Sequence, residues 1–353
     1  MSLNKLRREI DQLDRKLINL LNLRAEVTKK IGKIKINTGR CIYTPEREMD
    51  VLRRIASQNR GPLKKGALEA IYREIMSAGL ALEKVLKIAY MGPEASFSNL
   101  AALKRFGSQM EYIACGSIPE VFLEVERKAA DYGVVPVENS IEGAVTHTLD
   151  MLADSDLNIC AQVNLGVSHN LLANYAKNKI HKVYSNPQVF GQCRIWLQKN
   201  LPTAQLIDVP STTYAAQLAR KEKNSAAIAS LLASKVYGLK VISRGIQDSL
   251  HNITRFLVVG KNTAARTGHD KTSLLFSIKD RVGALYEMLL PFRKYGVNLT
   301  KIESRPSKKK AWEYYFFVDL SGHKDDARIK KALSELERRC TYLKVLGSYP
   351  IGE

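Results

Sequence analysis

Leucine, isoleucine and valine recur at steps of three and four residues along the first segment of the chain, from Ser2 to about Lys87. This spacing is typical of amphipathic helices. We expect a first helix to about Lys35, a second from Pro45 through Ser57 and a third from Ala67 to Lys87. At ~1.5 Å per residue the first helix is about 50 Å long, and three helices cannot bury it alone. Its apolar stripe therefore predicts pairing with another chain.

The pattern changes between Ile88 and about Lys261, where short apolar strands alternate with helical stretches. This alternation is typical of an α/β domain. Serine, threonine, asparagine or glutamine stands at several strand-to-helix junctions, as in VPSTTYAA at Val209 to Ala216. Any one of these residues, taken alone, is explained as a helix N-cap.

A polar bridge, Asn262 to Lys271, leads to a third segment in which strands and helices follow the order βαββαβ. This order is that of a ferredoxin-like α+β domain. The predicted elements are strand Thr272–Lys279, helix Gly283–Tyr295, strands Leu299–Ser307 and Trp312–Leu320 joined through Lys308 to Lys310, helix Asp325–Arg339 and strand Tyr342–Ser348.

Composition and charge exclude several classes of protein. The 353 residues predict two or three domains, and no apolar run approaches the ~20 residues that span a bilayer. The formal net charge of +20 is spread over helices with interleaved acids, without a nucleic-acid recognition motif. We therefore expect neither a nucleic acid nor a membrane as a partner.

Cysteine and histidine usage bears on compartment and metals. Five cysteines at wide spacing, without a CxxC pair, predict reduced thiols, and six histidines show no metal-ligand spacing. We expect no metal and no cofactor. The N-terminal residues lack the apolar core of a signal peptide, so the predicted location is the cytoplasm.

Two separated motifs set polar groups at one end of an apolar strand. These are GVVPVENS at Gly133 to Ser140 and NITRF at Asn252 to Phe256. Ligand sites of open α/β sheets gather at strand ends. Either motif alone is equally well explained by a capped turn or a surface arginine. Together they closely resemble the two signatures of prephenate dehydratase, which turns prephenate into phenylpyruvate.

This resemblance implies a two-lobed α/β domain like that of periplasmic binding proteins. It implies that Thr254 binds the leaving hydroxyl, that Arg255 pairs with a carboxylate and that Phe256 packs on the ring. The proton source stays open between Glu94 and a bound water. The implied polar lining comprises Ser96, Asn139, Ser140, Ser185, Gln188, Ser211 and Thr212.

Three cations of the helical segment have spacings that suit a small dicarboxylate. Arg24 and Lys35 lie close to three turns apart, at ~16 Å on one face. Arg7 lies ~25 Å from Arg24 and reaches the same ligand only from a second, antiparallel chain. The spacing alone also fits solvated basic residues on an exposed face. However, LLNLRAEV, GKIK and PEREMDVL, in this order, resemble the all-helical chorismate mutase family.

The second resemblance implies that Arg7 of one chain and Arg24 of the other bind the substrate carboxylates and that Lys35 donates to the ether oxygen. Glu48 holds the ring hydroxyl, with Arg47 beside it. The rearrangement is pericyclic, so catalysis rests on holding the compact conformer and stabilising negative charge on the breaking ether oxygen.

Three residues of the implied mutase site depart from the family pattern. Thr44 stands where an aspartate is frequent, Gly79 where a serine that contacts substrate is common, and Glu83 where many members have glutamine. As a catalytic residue, Glu83 donates to the ether oxygen only when it is protonated, so either burial favours its protonated form or mutase activity falls as pH rises.

The third segment resembles an ACT regulatory domain of the phenylalanine-sensing type, with GALYEML at Gly283 to Leu289 and ESRPS at Glu303 to Ser307. The resemblance implies inhibition by L-phenylalanine. The alternative is a purely structural dimerisation domain. The implied phenylalanine site comprises Gly283, Ala284, Leu285, Glu303, Ser304, Arg305 and Pro306.

The three resemblances divide the chain into a mutase domain at 1–87, a dehydratase domain at 88–262 and an ACT domain at 272–353. They predict a bifunctional enzyme that converts chorismate to prephenate and then to phenylpyruvate, as a homodimer or larger homo-oligomer. One alternative is a dehydratase whose helical segment is only a dimerisation arm. Another is a non-catalytic sensor of amino acids.

Overall fold

The computed structural model of the chain describes residues 2–249, 251–279, 281–307 and 313–351. The predicted connection at Lys308 to Lys310 and the predicted strand start at Trp312 lie outside these residues. The chain divides into two compact units, Met1–Lys87 with Phe106–Glu111, and Ile88–Arg105 with Tyr112–Glu353. In the described part of the chain, no helix is long and apolar enough to cross a membrane.

The first unit is built on α1 (Leu3–Asn37), α2 (Pro45–Gln58) and α3 (Lys65–Glu83). Helices α1 and α3 approach closely at Gly32, where a Cβ atom would lie 2.8 Å from Cγ of Glu83. The third helix ends at Glu83 rather than at the predicted Lys87, because the backbone of Lys84 is extended. The apolar stripe of α1 is exposed on this chain, as at Leu13, Leu17 and Leu20.

The second unit begins with a lobe that contains a sheet of order β2-β1-β3-β11-β5, with β4 paired to β3. Its elements are β1 (Lys87–Met91), α4 (Phe97–Phe106), β2 (Glu111–Cys115), α5 (Ile118–Glu126), β3 (Tyr132–Asn139), β4 (Gly143–Ala144), α6 (Thr146–Asp154) and β5 (Asn158–Gly166).

A second lobe follows, with a sheet of order β10-β6-β9-β7-β8. Its elements are β6 (Asn170–Ala173), β7 (Lys182–Ser185), α7 (Pro187–Gln192), α8 (Arg194–Asn200), β8 (Gln205–Asp208), α9 (Thr212–Lys221), β9 (Ser225–Ala229), α10 (Leu231–Tyr237) and β10 (Lys240–Ser243). The chain then returns to the first lobe in β11 (Ile253–Gly260). The predicted two-lobed architecture is confirmed.

The C-terminal segment forms an antiparallel sheet of order β13-β14-β12-β15, which confirms the predicted ferredoxin-like domain. Two helices cover one face of this sheet, where Phe276, Met288 and Phe292 share a core. The elements are β12 (Asp270–Ser277), α11 (Ala284–Lys294), β13 (Leu299–Pro306), β14 (Tyr314–Ser321), α12 (Ala327–Glu337) and β15 (Tyr342–Pro350).

The other face of this sheet packs on the first lobe. Leu275 and Phe317 belong to the same buried core as Val135 and Leu257 of the first-lobe sheet. Strand β15 approaches β5 so closely that a Cβ atom on Gly347 would lie 2.3 Å from a backbone oxygen. The ferredoxin-like sheet therefore shares its core with the first-lobe sheet.

Candidate active sites

A cavity lies between the three helices of the first unit. Apolar side chains such as Ile31, Val51 and Leu80 form part of its wall. All the residues predicted for the mutase site except Arg7 line this cavity, namely Arg24, Lys35, Thr44, Arg47, Glu48, Gly79 and Glu83. One chain thus brings together two arginines, a lysine and two carboxylates.

Lys35 and Glu83 form an ion pair in this cavity, with Nζ and Oε2 2.9 Å apart. Nζ of Lys35 also donates to the carbonyl oxygen of Ile42 over 2.8 Å. An ammonium group has three N–H donors, so one remains for a ligand. The Glu83 side chain is only 6% exposed. The pair therefore presents a fixed lysine donor at the position that the sequence predicts.

Gly79 leaves space for the Arg24 guanidinium. A Cβ atom at position 79 would lie 3.3 Å from both Nη1 of Arg24 and Cγ2 of Thr28. A serine here would therefore touch the arginine that is predicted to bind a carboxylate.

Arg7 lies outside the cavity of its own chain, on the same helix as Arg24 and Lys35. At ~1.5 Å per residue it stays ~25 Å from Arg24. Its predicted role requires a second copy and remains a prediction.

A second cavity lies between the two lobes of the second unit. The first lobe contributes the β1–α4 turn and the end of β3, and the second contributes the N-terminal ends of α7 and α9. The predicted residues that line it are Ser96, Asn139, Gln188, Ser211, Thr212, Thr254 and Phe256.

Asn139 and Thr254 form the polar centre of this cavity. They are cross-strand partners on β3 and β11, and Nδ2 of Asn139 donates to Oγ1 of Thr254 over 2.8 Å. The other amide proton of Asn139 goes to Oδ1 of Asn252, also over 2.8 Å. Because Thr254 accepts from Asn139, its own hydroxyl proton is left to point towards a ligand.

Comparisons with known proteins decide the family. Family models match residues 6–84 (chorismate mutase type II), 88–264 (prephenate dehydratase) and 272–338 (ACT domain). A bifunctional chorismate mutase/prephenate dehydratase of Aquifex aeolicus (strain VF5) is 50% identical over 99% of this chain and 98% of that protein. The chain belongs to the bifunctional chorismate mutase/prephenate dehydratase family. The predicted enzyme class and resemblance are thereby confirmed.

Two further relatives agree with this family. A protein of the same description from Neisseria gonorrhoeae (strain ATCC 700825 / FA 1090) is 44% identical over 98% of this chain and 96% of that protein. The solved structure of an Arthrobacter aurescens prephenate dehydratase in complex with L-Phe matches with a TM-score of 0.71 at 32% identity. That match covers 75% of this chain and 90% of the other.

Three dehydratase residues that the sequence did not single out, Gln192, His169 and Glu142, extend the polar centre. Oε1 of Gln192 accepts from Nδ2 of Asn252 and from Nε2 of His169, both over 2.9 Å. Nε2 of Gln192 donates to Glu142 over 3.2 Å, which links the two lobes. Burial lowers the pKa of His169. Gln192 lies one helical turn after Gln188 on α7, a spacing that indicates a shared face.

The dehydratase prediction for Arg255 must be corrected. Thr254 and Phe256 line the cavity, but Arg255 lies between them in the strand and points to the opposite face of the sheet. Its Nη2 pairs with Asp319 on β14 over 2.7 Å. Arg255 therefore does not bind a substrate carboxylate in this arrangement.

Ser140, Ser185 and Glu94 also lie away from the dehydratase cavity. Oγ of Ser140 donates to the carbonyl of His251 and accepts from the amide of Ile253, so it fastens β3 to the start of β11. Ser185 is fully buried and donates to the carbonyl of Ile228. Both serines hold backbone in place. Glu142 is the carboxylate that lines the cavity.

The residues predicted for phenylalanine divide between the two faces of the ACT sheet. Gly283 has a left-handed φ of 79° and begins α11, followed by Ala284 and Leu285. On β13, Ser304 and Pro306 are exposed to solvent. They lie on the face of the sheet that carries the two helices, next to their cross-strand partners Phe316 and Tyr314 on β14. Glu303 and Arg305 alternate onto the other face, and Arg305 pairs with Asp150 over 3.0 Å. The predicted set therefore does not share one surface.

Proposed function

We propose that this chain converts chorismate to prephenate in the helical cavity and prephenate to phenylpyruvate in the cavity between the lobes. The observation that carries the proposal is that one chain holds both cavities, each lined by groups that its reaction needs. The domain boundaries 1–87, 88–262 and 272–353 belong to the same proposal.

The mutase site acts by holding a dicarboxylate. Arg24 binds one carboxylate, and Arg7 of a second copy binds the other. Nζ of Lys35, held by Glu83 and the carbonyl of Ile42, donates to the ether oxygen as the carbon–oxygen bond breaks. Glu48 accepts from the ring hydroxyl, and Arg47 and Thr44 complete the rim. No proton transfer is needed, so orientation and charge stabilisation supply the rate enhancement.

The dehydratase site binds carboxylates without a cation, since no lysine or arginine of the described chain lines its cavity. Helices α4 and α9 direct their N-termini to it, and Ser211 caps α9. Backbone N–H groups at these ends favour anions. A carboxylate held this way loses carbon dioxide more readily than one locked to a guanidinium, because its negative charge is less stabilised before reaction.

The elimination moves electrons across the ring from the carboxylate to the hydroxyl. The electron pair of the bond to the departing carboxylate moves into the ring as carbon dioxide leaves. The hydroxyl then departs from the opposite ring carbon, and the ring becomes aromatic. The Thr254 hydroxyl donates to this leaving oxygen while its own oxygen accepts from Asn139. Phe256 packs against the ring. The departing hydroxide becomes water by taking up one proton from bulk solvent, relayed through a bound water near Glu142.

Regulation by L-phenylalanine is the third part of the proposal. The Arthrobacter aurescens dehydratase was solved with L-Phe, and this chain has an ACT domain at residues 272–338. Gly283, Ala284 and Leu285 at the start of α11, with Ser304 and Pro306 on the same face of β13, form the proposed phenylalanine site. Glu303 and Arg305 lie on the opposite face of β13, where Arg305 pairs with Asp150, so they do not contact the bound amino acid directly.

A homodimer through α1 is the fourth part. Leu13, Leu17 and Leu20 are 57%, 53% and 64% exposed on this helix, and a second copy would cover them. The same pairing brings Arg7 to the partner's cavity.

A cytoplasmic location is the fifth part. The five cysteines form no disulfide among the described residues, as is usual for biosynthetic enzymes of the cytoplasm.

Two assays test the proposal. The purified chain should turn chorismate into phenylpyruvate, and phenylalanine should stop the second step. Arg7→Ala and Arg24→Ala chains should each lack mutase turnover, and unfolding and refolding them as an equimolar mixture should restore about a quarter of the wild-type rate, because one of two shared sites is intact in half of the dimers. Conversion of added prephenate alone would leave a dehydratase with a helical dimerisation arm.

A further inference from the structure

A cluster of buried charges joins the dehydratase sheet to the ACT sheet. Arg255 on β11 contacts Asp319 on β14 over 2.7 Å and Glu138 on β3 over 3.5 Å. Glu138 also forms an ion pair with Lys301 on β13, over 3.1 Å. The side chains of Arg255 and Asp319 are 13% and 7% exposed. Arg255 is therefore largely shielded from solvent, and its side chain does not line the dehydratase cavity.

The partners of Arg255 are fixed from both sides. On the ACT side, Asp319 accepts from Ser273, whose hydroxyl also bonds the Tyr349 hydroxyl over 2.7 Å. On the dehydratase side, Glu138 is the cross-strand partner of Arg255. Burial and repulsion by Arg255 lower the pKa of the nearby Lys271, so the cluster tolerates no further positive charge at low cost.

The catalytic pair lies directly beside this cluster in the strand register. Asn139 pairs with Thr254, and the next pair along the same two strands is Glu138 with Arg255. The register then shifts by one residue between Arg255 and Phe256. A bulge of this kind re-aims neighbouring side chains and has to be held in place. Thus one pair faces the cavity and the adjacent pair is clamped to the ACT sheet.

We propose that Arg255 is a positioning residue for dehydration, which holds Thr254 and Asn139 in their catalytic alignment only while Asp319 of the ACT sheet is docked against it. A shift of the ACT sheet would move Asp319, and with it Arg255 and the ends of β11 and β3. Strand β13 carries Lys301 of the cluster and, a few residues on, Ser304 of the proposed phenylalanine site. The link to phenylalanine rests on the regulation proposed above.

The test compares Arg255→Gln, Asp319→Asn and the double variant in the full chain. Each single variant should lower kcat for prephenate about 10- to 100-fold, as expected when reacting groups are misplaced by about 1 Å, with KM nearly unchanged. The double variant should be no worse than either single variant, since both remove the same contact. Half-inhibition by phenylalanine should need about tenfold more of it in all three.

Controls separate the possible outcomes. Lys182→Gln removes the ion pair between Lys182 and Glu222 in the second lobe, whose charged atoms lie 2.6 Å apart. This variant should change neither kcat for prephenate nor inhibition by phenylalanine. Arg255→Lys keeps the positive charge but lacks the planar guanidinium that contacts two carboxylates at once. Its kcat for prephenate should lie between those of the wild-type chain and Arg255→Gln. If Arg255→Gln does not fold, the double variant, which removes both charges of the Arg255–Asp319 pair, and Lys301→Gln decide the question by their kcat for prephenate.

Two results would overturn the proposal. A raised KM in Arg255→Gln beside a normal Asp319→Asn would assign Arg255 to the substrate. Unchanged kcat in every variant, with only a lower melting temperature, would make the cluster merely structural. If the wild-type chain ignores phenylalanine, the proposed regulation fails, but the kcat comparison still tests the positioning role.

Discussion

Asn139 holds Thr254 by a 2.8 Å hydrogen bond between cross-strand partners, and the same amide group bonds Asn252. Oδ1 of Asn139 in turn accepts from the backbone amides of Ile141 and Glu142. The asparagine orientation is therefore fixed by four bonds. A threonine hydroxyl held in this way meets the leaving group without having to be reoriented during reaction.

Replacing Thr254 by valine removes this hydroxyl while keeping the shape of the side chain. We expect kcat for prephenate to fall about 10²- to 10³-fold, because one positioned donor to a developing negative charge is lost. Thr254→Ser keeps the hydroxyl and should stay within about tenfold of wild type. Mutase turnover of the same preparations serves as the control. A valine variant with normal dehydratase turnover would remove Thr254 from the mechanism.

Gly32 tests how tightly the mutase cavity depends on helix packing. A Cβ atom there would lie 2.8 Å from Cγ and 3.2 Å from Cα of Glu83, so Gly32→Ala should separate α1 from α3. We expect a loss of about 1–3 kcal/mol in the stability of the helical unit and mutase turnover reduced more than tenfold, with dehydratase turnover retained. Gly66→Ala, which meets nothing within 4 Å, is the matched control and should be neutral. Equal behaviour of both variants would contradict the close packing.

The contrast between Thr254 and Arg255 shows where sequence reasoning succeeded and where it stopped. The apolar periodicities predicted the helices, the two-lobed domain and the ferredoxin-like domain, because each element is amphipathic in its own right. Motif resemblance placed Thr254 and Phe256 at the cavity. The same motif did not reveal that Arg255 faces the ACT sheet. Strand alternation places Arg255 on the opposite face from Thr254 and Phe256, but only the folded structure shows that the ACT sheet packs on that face.

Gln192 and His169 were missed for a related reason. They are joined to Asn139 through Asn252 by side-chain hydrogen bonds that cross from one lobe to the other. Such contacts depend on how two lobes close, which no local pattern encodes. Ser185 was misplaced in the opposite sense, since a serine at a strand end can bond backbone in the core as readily as it lines a cavity.

Glu83 tests which group of the mutase cavity donates to the ether oxygen. As a carboxylate it accepts from Lys35 over 2.9 Å and has no proton of its own to donate. Glu83→Gln keeps the size of the side chain and adds an amide donor, so mutase turnover should rise. The measurement is the initial rate of chorismate loss at one pH, with prephenate dehydration as the control. Equal or lower mutase turnover in Glu83→Gln would exclude a donor role for position 83.

His169 predicts a pH-dependent stability on the acid side. Burial lowers its pKa from the ordinary 6.5, so just below that pH the unfolded chain holds a proton that the native chain lacks. The unfolded state then binds more protons, and stability should fall as pH drops from 6.5 to 5, by at most about 1.4 kcal/mol per pH unit for this group. His169→Gln keeps a donor for Gln192 without this proton, so its melting temperature should fall less steeply. His181→Gln, at an exposed site, should follow the wild-type slope. If the slopes of all three chains coincide, His169 is not the group that titrates.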